Sequence, residues 1–450
     1  MTDVWKDPEI IDFVRWLKVQ GFRNVRLFIS SRQSLLLSVQ CQRLKSSEYG
    51  NTVMYFVEAS WEGSYCCAYT DSLKDREEIR RRLSETAGIF DGRDLPEEIM
   101  ESRDYRGQRW REIDQEKTIH ILKCAEAAAL SCKTVDFVEV CEYRQYEETV
   151  TLIDENVNYL TDDDGDLSFT VRVIAKEGDS VAASTKLGIV KAQDQDAFLK
   201  TACSLAERAA EYAGYALHAE RIPSGTYPIV LENCVMAELT GHYLPVFYGE
   251  NLTHHTSALA GKKGEQVGCR LLRLIEDPFS VMGTRRRRID DEGMPVSEKV
   301  LLEKGVFKGI LYNKKSAAQA GVKSTGNGFK PDAAADSGTS ATNVILLSEG
   351  ETFSRREMLE ACEGGIYITQ IEGMFAGADT ESGDFSLLAC GNRIVDGRVS
   401  SAVNQFTISG NICGLWRDIE MIGDDPVYRL SGSACAVSPT VKVKSLMVSG

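Results

Sequence analysis

The segment VRLFISSRQSLLLSVQ, Val25–Gln40, holds two apolar runs, VRLFIS (25–30) and SLLLSVQ (34–40), parted by a short polar break. TVMYFVEAS (52–60) and SYCCAYT (64–70) follow with the same texture. Alternation in runs of this length, punctuated by polar residues, predicts the strands of an antiparallel meander. Upstream, Asp7-Pro8 reads as an N-cap with proline at the first helical position, and Gly21 as the stop. Downstream, DSLKDREEIRRRLSETAGIF (71–90) opens on a capping residue and has amphipathic helical spacing. Residues 1–90 therefore read as one unit of helix, strands and helix.

A charged stretch, 91–118, contains Pro96 and few apolar residues and reads as a linker. The second unit, 119–222, has an alanine-rich helix at EKTIHILKCAEAAALSC, strands around VDFVEVCEYRQYEETVTLI and SFTVRVIAK, and a closing helix at 196–217. The repeated order suggests a weak internal duplication. DDDGD (162–166) reads as a hairpin turn between NYL and SFTVRVIAK, because no glutamate closes a calcium loop at the twelfth position and no helices flank it. From RIPSGTYPIVL onward glycines become frequent and short β-rich runs alternate with turns, giving a β-rich domain over 223–450. The fold class expected is α+β, with N-terminal helix and antiparallel-strand units followed by a large β-rich C-terminal domain.

With 450 residues, two or three domains are expected. Hydrophobic residues at 43% and charged residues at 26% suffice for a sizeable core. A net charge of −15 opposes binding to nucleic acid or to an anionic membrane, since such affinity rests on cations neutralising phosphates. Thirteen cysteines, an odd number with no CxxC pair, read as buried reduced thiols of a cytoplasmic protein. No secretory pattern opens the sequence and no run approaches the roughly 18 apolar residues of a membrane span.

Among candidate sites, Glu238 and His242 in LENCVMAELTGHYL are an i, i+4 pair on one helical face. Zinc proteases need at least two imidazoles and a carboxylate base, and the pair supplies one imidazole. By spacing alone it reads as a helix end, with Gly241 at the terminus. His254-His255 reads as part of a polar loop. The run TRRRR (284–288) reads as a solvated loop balanced by the acids of IDDEG, with a clamp for carboxylate or phosphate as the alternative. KSTGNG (323–328) lacks the Walker lysine and the GxGxxG spacing of a nucleotide loop.

Taken together, three stretches resemble the TldD/PmbA family, also called modulators of DNA gyrase. They are TSALAGKKGEQVG, then DDEGMPVSEKVLLEKGVFKGILYNKKSAAQAGVKSTGNG, then ADTESGDFSLLACGNRIVDGRVSSAVNQFTISGN with IGDD and SPTVKVKSLMVSG. RLFISSRQSLLLSVQCQRLKSSEYG matches more loosely. The resemblance implies a protease assembled from two related subunits. The TldD-type binds zinc through HExxxH, with a C-terminal cysteine as further ligand, and the PmbA-type (TldE) lacks the metal motif. Here the motif falls on Ala237–His242, with Ala237 at the first ligand position, and Cys435 lies roughly where the cysteine ligand falls. The expectation is a PmbA/TldE-like non-catalytic subunit of a peptide-degrading metalloprotease. It would have vestigial Glu238 and His242, no metal or cofactor of its own, and a dimeric partner that is either TldD-like or itself. The alternatives are a stand-alone metallopeptidase using His242, Cys435 and His254 or His255, and a homodimeric peptide-binding scaffold.

Overall fold

The computed structural model describes residues 4–89, 96–107, 113–189, 194–431 and 434–450. α1 (Pro8–Val19) is capped by Asp7, whose side chain accepts from the Glu9 N–H at 2.9 Å, and Gly21 beyond it takes φ of 101°. The meander follows as β1 (Arg23–Gln40), β2 (Arg43–Trp61) and β3 (Ser64–Thr70). α2 (Arg76–Thr86) begins later than expected, because Asp75 and not Asp71 is its N-cap. After β4 (Arg103–Asp104), a second unit repeats the order: α3 (Gln115–Leu130), β5 (Val135–Asp154), β6 (Tyr159–Glu177), β7 (Ser180–Ile189) and α4 (Gln195–Ala216). The expected linker at 91–118 lies partly outside the described residues. Inside it, β4 pairs with β6, and α3 starts at Gln115.

These strands form one seven-stranded sheet, ordered β3-β2-β1-β5-β6, with β4 and β7 both on the outer edge of β6. The two units are joined through the antiparallel β1–β5 ladder. Along β1 the odd-numbered side chains face helices: Val25, Leu27 and Ile29 pack with α1 and α2, and Leu35, Leu37 and Val39 with α3 and α4. The opposite face meets the C-terminal half, where Phe28, Phe56, Val150 and Leu152 close over Ala333.

Two expectations are corrected here. The break at 31–33 does not divide β1, which runs unbroken for 18 residues. DDDGD is not a turn but lies inside β6, paired with Tyr146–Val150, and the turn sits at residues 155–158. Both errors have one cause: polar residues tolerated in mid-strand because ions on another segment cover them. Gly165 sits there because a Cβ would lie 2.9 Å from the Tyr146 carbonyl oxygen.

The C-terminal half holds two six-stranded sheets. The first contains β8 (Gly225–Leu231), β15 (Ile366–Glu372), β16 (Asp384–Val395), β17 (Arg398–Asn411), β18 (Ile419–Ile422) and β21 (Val441–Ser449). Five of these close a ring, β17-β16-β15-β8-β21, because β17 also pairs with β21. The second contains β9 (Leu272–Glu276), β10 (Lys299–Glu303), β11 (Val306–Phe307), β14 (Asn343–Ser348), β19 (Val427–Ser431) and β20 (Ala434–Ser438). β12 (Gly328–Phe329) and β13 (Gly338–Thr339) pair separately. One large core, including Leu231, Leu274, Phe247 and Trp416, fills the space between the two sheets. No described helix is long and apolar enough to cross a membrane.

Candidate functional site

α5 (Asn233–His242) leaves β8 at Leu231 and packs against β19 and β20. Most of it is buried. Cys234, Glu238 and His242 form its half-buried stripe, at the i, i+4, i+8 spacing that aligns residues on one helical face. Ala237 is fully buried, and Gly241 lies within the last turn, one residue before the helix ends. Burial raises the Glu238 carboxyl; Arg429 on β19 opposes that rise, while Glu372 on β15 reinforces it. Burial alone lowers the His242 imidazole, and its Nε2 has no hydrogen-bond partner. A neutral imidazole one helical turn from a carboxyl can accept a proton or offer one nitrogen ligand.

This donor set does not fit a zinc ion, which takes three or four protein ligands. The Ala237 methyl offers none. Cys435 lies on the wrong face of β20: Ala434 joins the core around Val235, Met236 and Leu239 of α5, whereas Cys435 packs with Ile275, Ile345 and Val437 on the other side. Burial raises its thiol, which lies near Thr284 and Arg285. His254 and His255 are exposed on the loop beyond the helix. Among the described residues, no group of three or more His, Cys, Asp or Glu side chains is arranged to hold a metal. All thirteen cysteines are free.

The start of α5 carries a feature that the sequence did not disclose. Glu232 stands at the N-cap position without capping the helix backbone; its carboxylate accepts from the Cys234 thiol at 3.3 Å and otherwise from the N-terminal half. It accepts from Lys186 Nζ and Tyr212 Oη, each at 3.0 Å, and from Arg208 Nη2. Burial would raise this carboxyl, but Lys186 and Arg208 overcome it and hold it at about 2. The group fixes the helix against β7 and α4.

The arginine run is solvated only in part: Arg286 and Arg288 are exposed, whereas Arg285 is half-buried and Arg287 buried. Asp162 Oδ2 accepts from the backbone N–H groups of Arg288 (2.5 Å) and Ile289 (3.2 Å). Asp164 accepts from the Arg286 N–H and, at 3.1 Å, from Arg285 Nη1. Arg287 is buried and donates to Asp291 at 2.7 Å, so IDDEG supplies only part of the balance. Asp164 also ends a cross-strand row, Arg32–Glu148–Asp164. Like charges directly opposite repel, and Arg32 and Arg285 bracket the Glu148–Asp164 pair. The opposite charges of DDDGD and TRRRR were the available signal. KSTGNG is structural too: buried Asn327 donates to Glu276 Oε1 at 2.8 Å, which also accepts from the Thr342 N–H.

The PmbA/TldA metallopeptidase C-terminal domain, as a family, matches residues 224–450, half of the sequence. The chain belongs to the PmbA/TldD family. A protein named "Metalloprotease" from Methanothermobacter thermautotrophicus is 29% identical over 266 residues, which are 55% of each chain. The chain thus spans about half the length of the curated relatives it matches. Over full length, it superposes on a crystal structure of a candidate modulator of a DNA gyrase from Thermotoga maritima, with a TM-score of 0.83 and 26% identity. That match covers 98% of this chain and 99% of the other. TldE from Thermococcus kodakarensis shares the fold, with a TM-score of 0.81 at 19% identity and coverage of 98% and 100%. The PmbA/TldD α+β architecture thus extends through both halves of the molecule.

Proposed function

We propose that this PmbA/TldD-family chain is the PmbA/TldE-like, non-catalytic subunit of a peptide-degrading metalloprotease. It pairs with a TldD-like chain and shapes the substrate chamber without donating metal ligands. The observation that carries this reading is Ala237: where the family's zinc helix has its first histidine, this helix has a methyl group sealed in the core. The burial of Cys435 on the face of β20 away from α5 and the exposure of His254 and His255 support it. Extended peptides would be held by adding a strand to exposed β edges.

The test is metal analysis together with a peptidase assay. The purified chain is expected to hold no stoichiometric zinc and to cleave no peptide alone. It should co-purify with a TldD-like chain from its own source, and the pair should cleave unfolded peptides. Stoichiometric zinc surviving mild chelation of the isolated chain would overturn the reading in favour of a stand-alone enzyme. Failure to capture any HExxxH-bearing partner, with a stable homodimer instead, would favour the scaffold.

A further inference from the structure

The second N-terminal unit sets two cysteines against each other. Three antiparallel strands, β5, β6 and β7, separate α3 from α4, so the chain reverses often enough to leave the two helices parallel. They pack side by side on the sheet through Ala125 and Ala129 of α3 and Ala202, Ala206 and Ala209 of α4, side chains small enough to bring the backbones close. Their register can be read toward the C-terminal ends. Ala128 and Glu207 line one cleft of about 380 Å³, and a Cβ on Gly214 would lie 2.9 Å from Thr134 Oγ1. Cys124 and Cys203 each sit one i, i+4 step before Ala128 and Glu207, on the same helical faces. The two thiols therefore oppose each other across the groove, and both residues are half-buried. Burial raises the Cys203 thiol, and the neighbouring Cys124 raises it further.

Cys124 also has a base beside it. The exposed His120, one turn earlier on α3, brings its Nε2 to 3.6 Å from the Cys124 sulfur. The thiolate is the nucleophile, not the thiol, and an imidazole at this distance is placed to take the proton. Cys124 thus has the access and the base of an attacking thiol, and Cys203 has the position of a resolving one. Other nearby cysteines lack these features. Cys141 also senses Cys203, but it is fully buried on β5 with its thiol bonded to the Leu122 carbonyl at 3.4 Å. The Cys132 sulfur lies 3.2 Å from Thr134 Oγ1, beyond the end of α3.

We propose that Cys124 and Cys203 are an oxidation site for hydrogen peroxide, closing a disulfide that ties α3 to α4, with His120 as the base for Cys124. Cys124 gives its proton to His120 and its sulfur attacks one peroxide oxygen. The S–O bond forms, the O–O bond breaks, and the departing hydroxide takes that proton and leaves as water. The Cys203 sulfur then attacks the sulfenic sulfur of Cys124. The S–S bond forms, the S–O bond breaks, and the second hydroxide leaves as water with the Cys203 proton. Two thiols are oxidised to one disulfide while one peroxide is reduced to two waters. The test is to treat the reduced full chain with stoichiometric hydrogen peroxide and to map its cross-linked peptides by fragmentation mass spectrometry. A peptide pair joining Cys124 to Cys203 is expected, lighter by two hydrogens than its two halves and released by dithiothreitol. It should vanish in Cys124→Ser and in Cys203→Ser and persist in Cys132→Ser. His120→Gln should slow bridging several-fold at an unchanged end point; an unchanged rate overturns the role of His120 alone. A bridge from Cys203 to Cys141 or Cys132, over-oxidation of Cys124 with Cys203 still reduced, or no bridge at all overturns the pair. Mapping of the wild-type chain decides the pairing by itself, so a variant that fails to fold leaves the test intact.

Discussion

Gly326 shows how one position in KSTGNG is fixed by backbone geometry. Its φ is 73°, and a Cβ there would lie 2.3 Å from the Pro295 carbonyl oxygen. The left-handed conformation costs an L-residue about 1–2 kcal/mol, and the clash adds to it. Gly326→Ala is expected to lower stability by at least that much, seen as a lower denaturant midpoint at unchanged slope. Glu232 is fixed by charge. Glu232→Gln leaves Lys186, 7% exposed at its side chain, without its anion, and breaking a buried pair in this way costs about 3 kcal/mol or more. The carboxyl is held at about 2, below the usual value near 4.3 for an unfolded chain. Its contribution is therefore complete above about pH 4.3 and is lost as pH falls toward 2. Melting curves of wild type and variant should differ most near neutrality and converge through that window. A gap that stays constant down to the acid limit would contradict the assignment.

At the scale of elements, β6 and the arginine run depend on one another. Asp162→Ala removes the acceptor for two backbone N–H groups and one of the anions beside the buried Arg287. A loss of about 3 kcal/mol is expected from uncovering that cation. Hydrogen exchange should accelerate at residues 285–289 while the β16–β17 ladder stays protected; uniform acceleration would show that the interface is not the weak point. The same contact explains what the sequence could disclose. Helix starts were legible at Asp7-Pro8 because an N-cap and a proline are local chemistry. The meander was legible in outline because apolar alternation is local too. The continuity of β1 and the strand at DDDGD were not, because the reason polar residues survive there lies more than 100 positions away, in Glu148 for Arg32 and in Arg285–Arg288 for the aspartates. At α5 Ala237 could be read directly, and its match to the family's first ligand position comes from the resemblance alone. Sequence did not disclose which face of β20 Cys435 occupies, nor the pull of Arg429 on Glu238, since both follow from packing between distant strands.

For the whole molecule, charge and architecture act together. The net charge is −15, and of the arginine run Arg285 and Arg287 are 16% and 6% exposed at their side chains and already paired with acids, which leaves only Arg286 and Arg288 exposed to a phosphate. Duplex DNA should not bind by fluorescence anisotropy at physiological salt. Salt-sensitive binding tighter than about 1 μM would contradict this. Light scattering is expected to give a dimer, with itself or with a related chain, because related subunits tend to reuse one self-complementary surface. A monomer at micromolar concentration that captures no partner would count against it.

The closed five-stranded ring also sets a timetable. Leu231 of β8 pairs with Val441 of β21, about 210 residues further along, and β21 is also the strand that joins β17 to complete the circuit. A ribosome adding about 5–20 residues per second needs roughly 10–40 s between making one strand and the other. For about the first 135 residues of that interval β8 has neither strand neighbour, because β15 begins only at Ile366, and after that it has one, so a run as apolar as Ile229–Leu231 waits with open edges. The N-terminal sheet has no such delay, since all its strands are complete before β8 is made. The nascent protein is therefore an N-terminal half with its strands paired but its face toward Arg285–Arg288 and Ala333 still uncovered, trailing an unclosed C-terminal half, and that interval is when it is most exposed to proteases and to premature association. Ribosome-arrested chains should show this directly: protection of the first 220 residues early, and of the rest only once β21 has emerged.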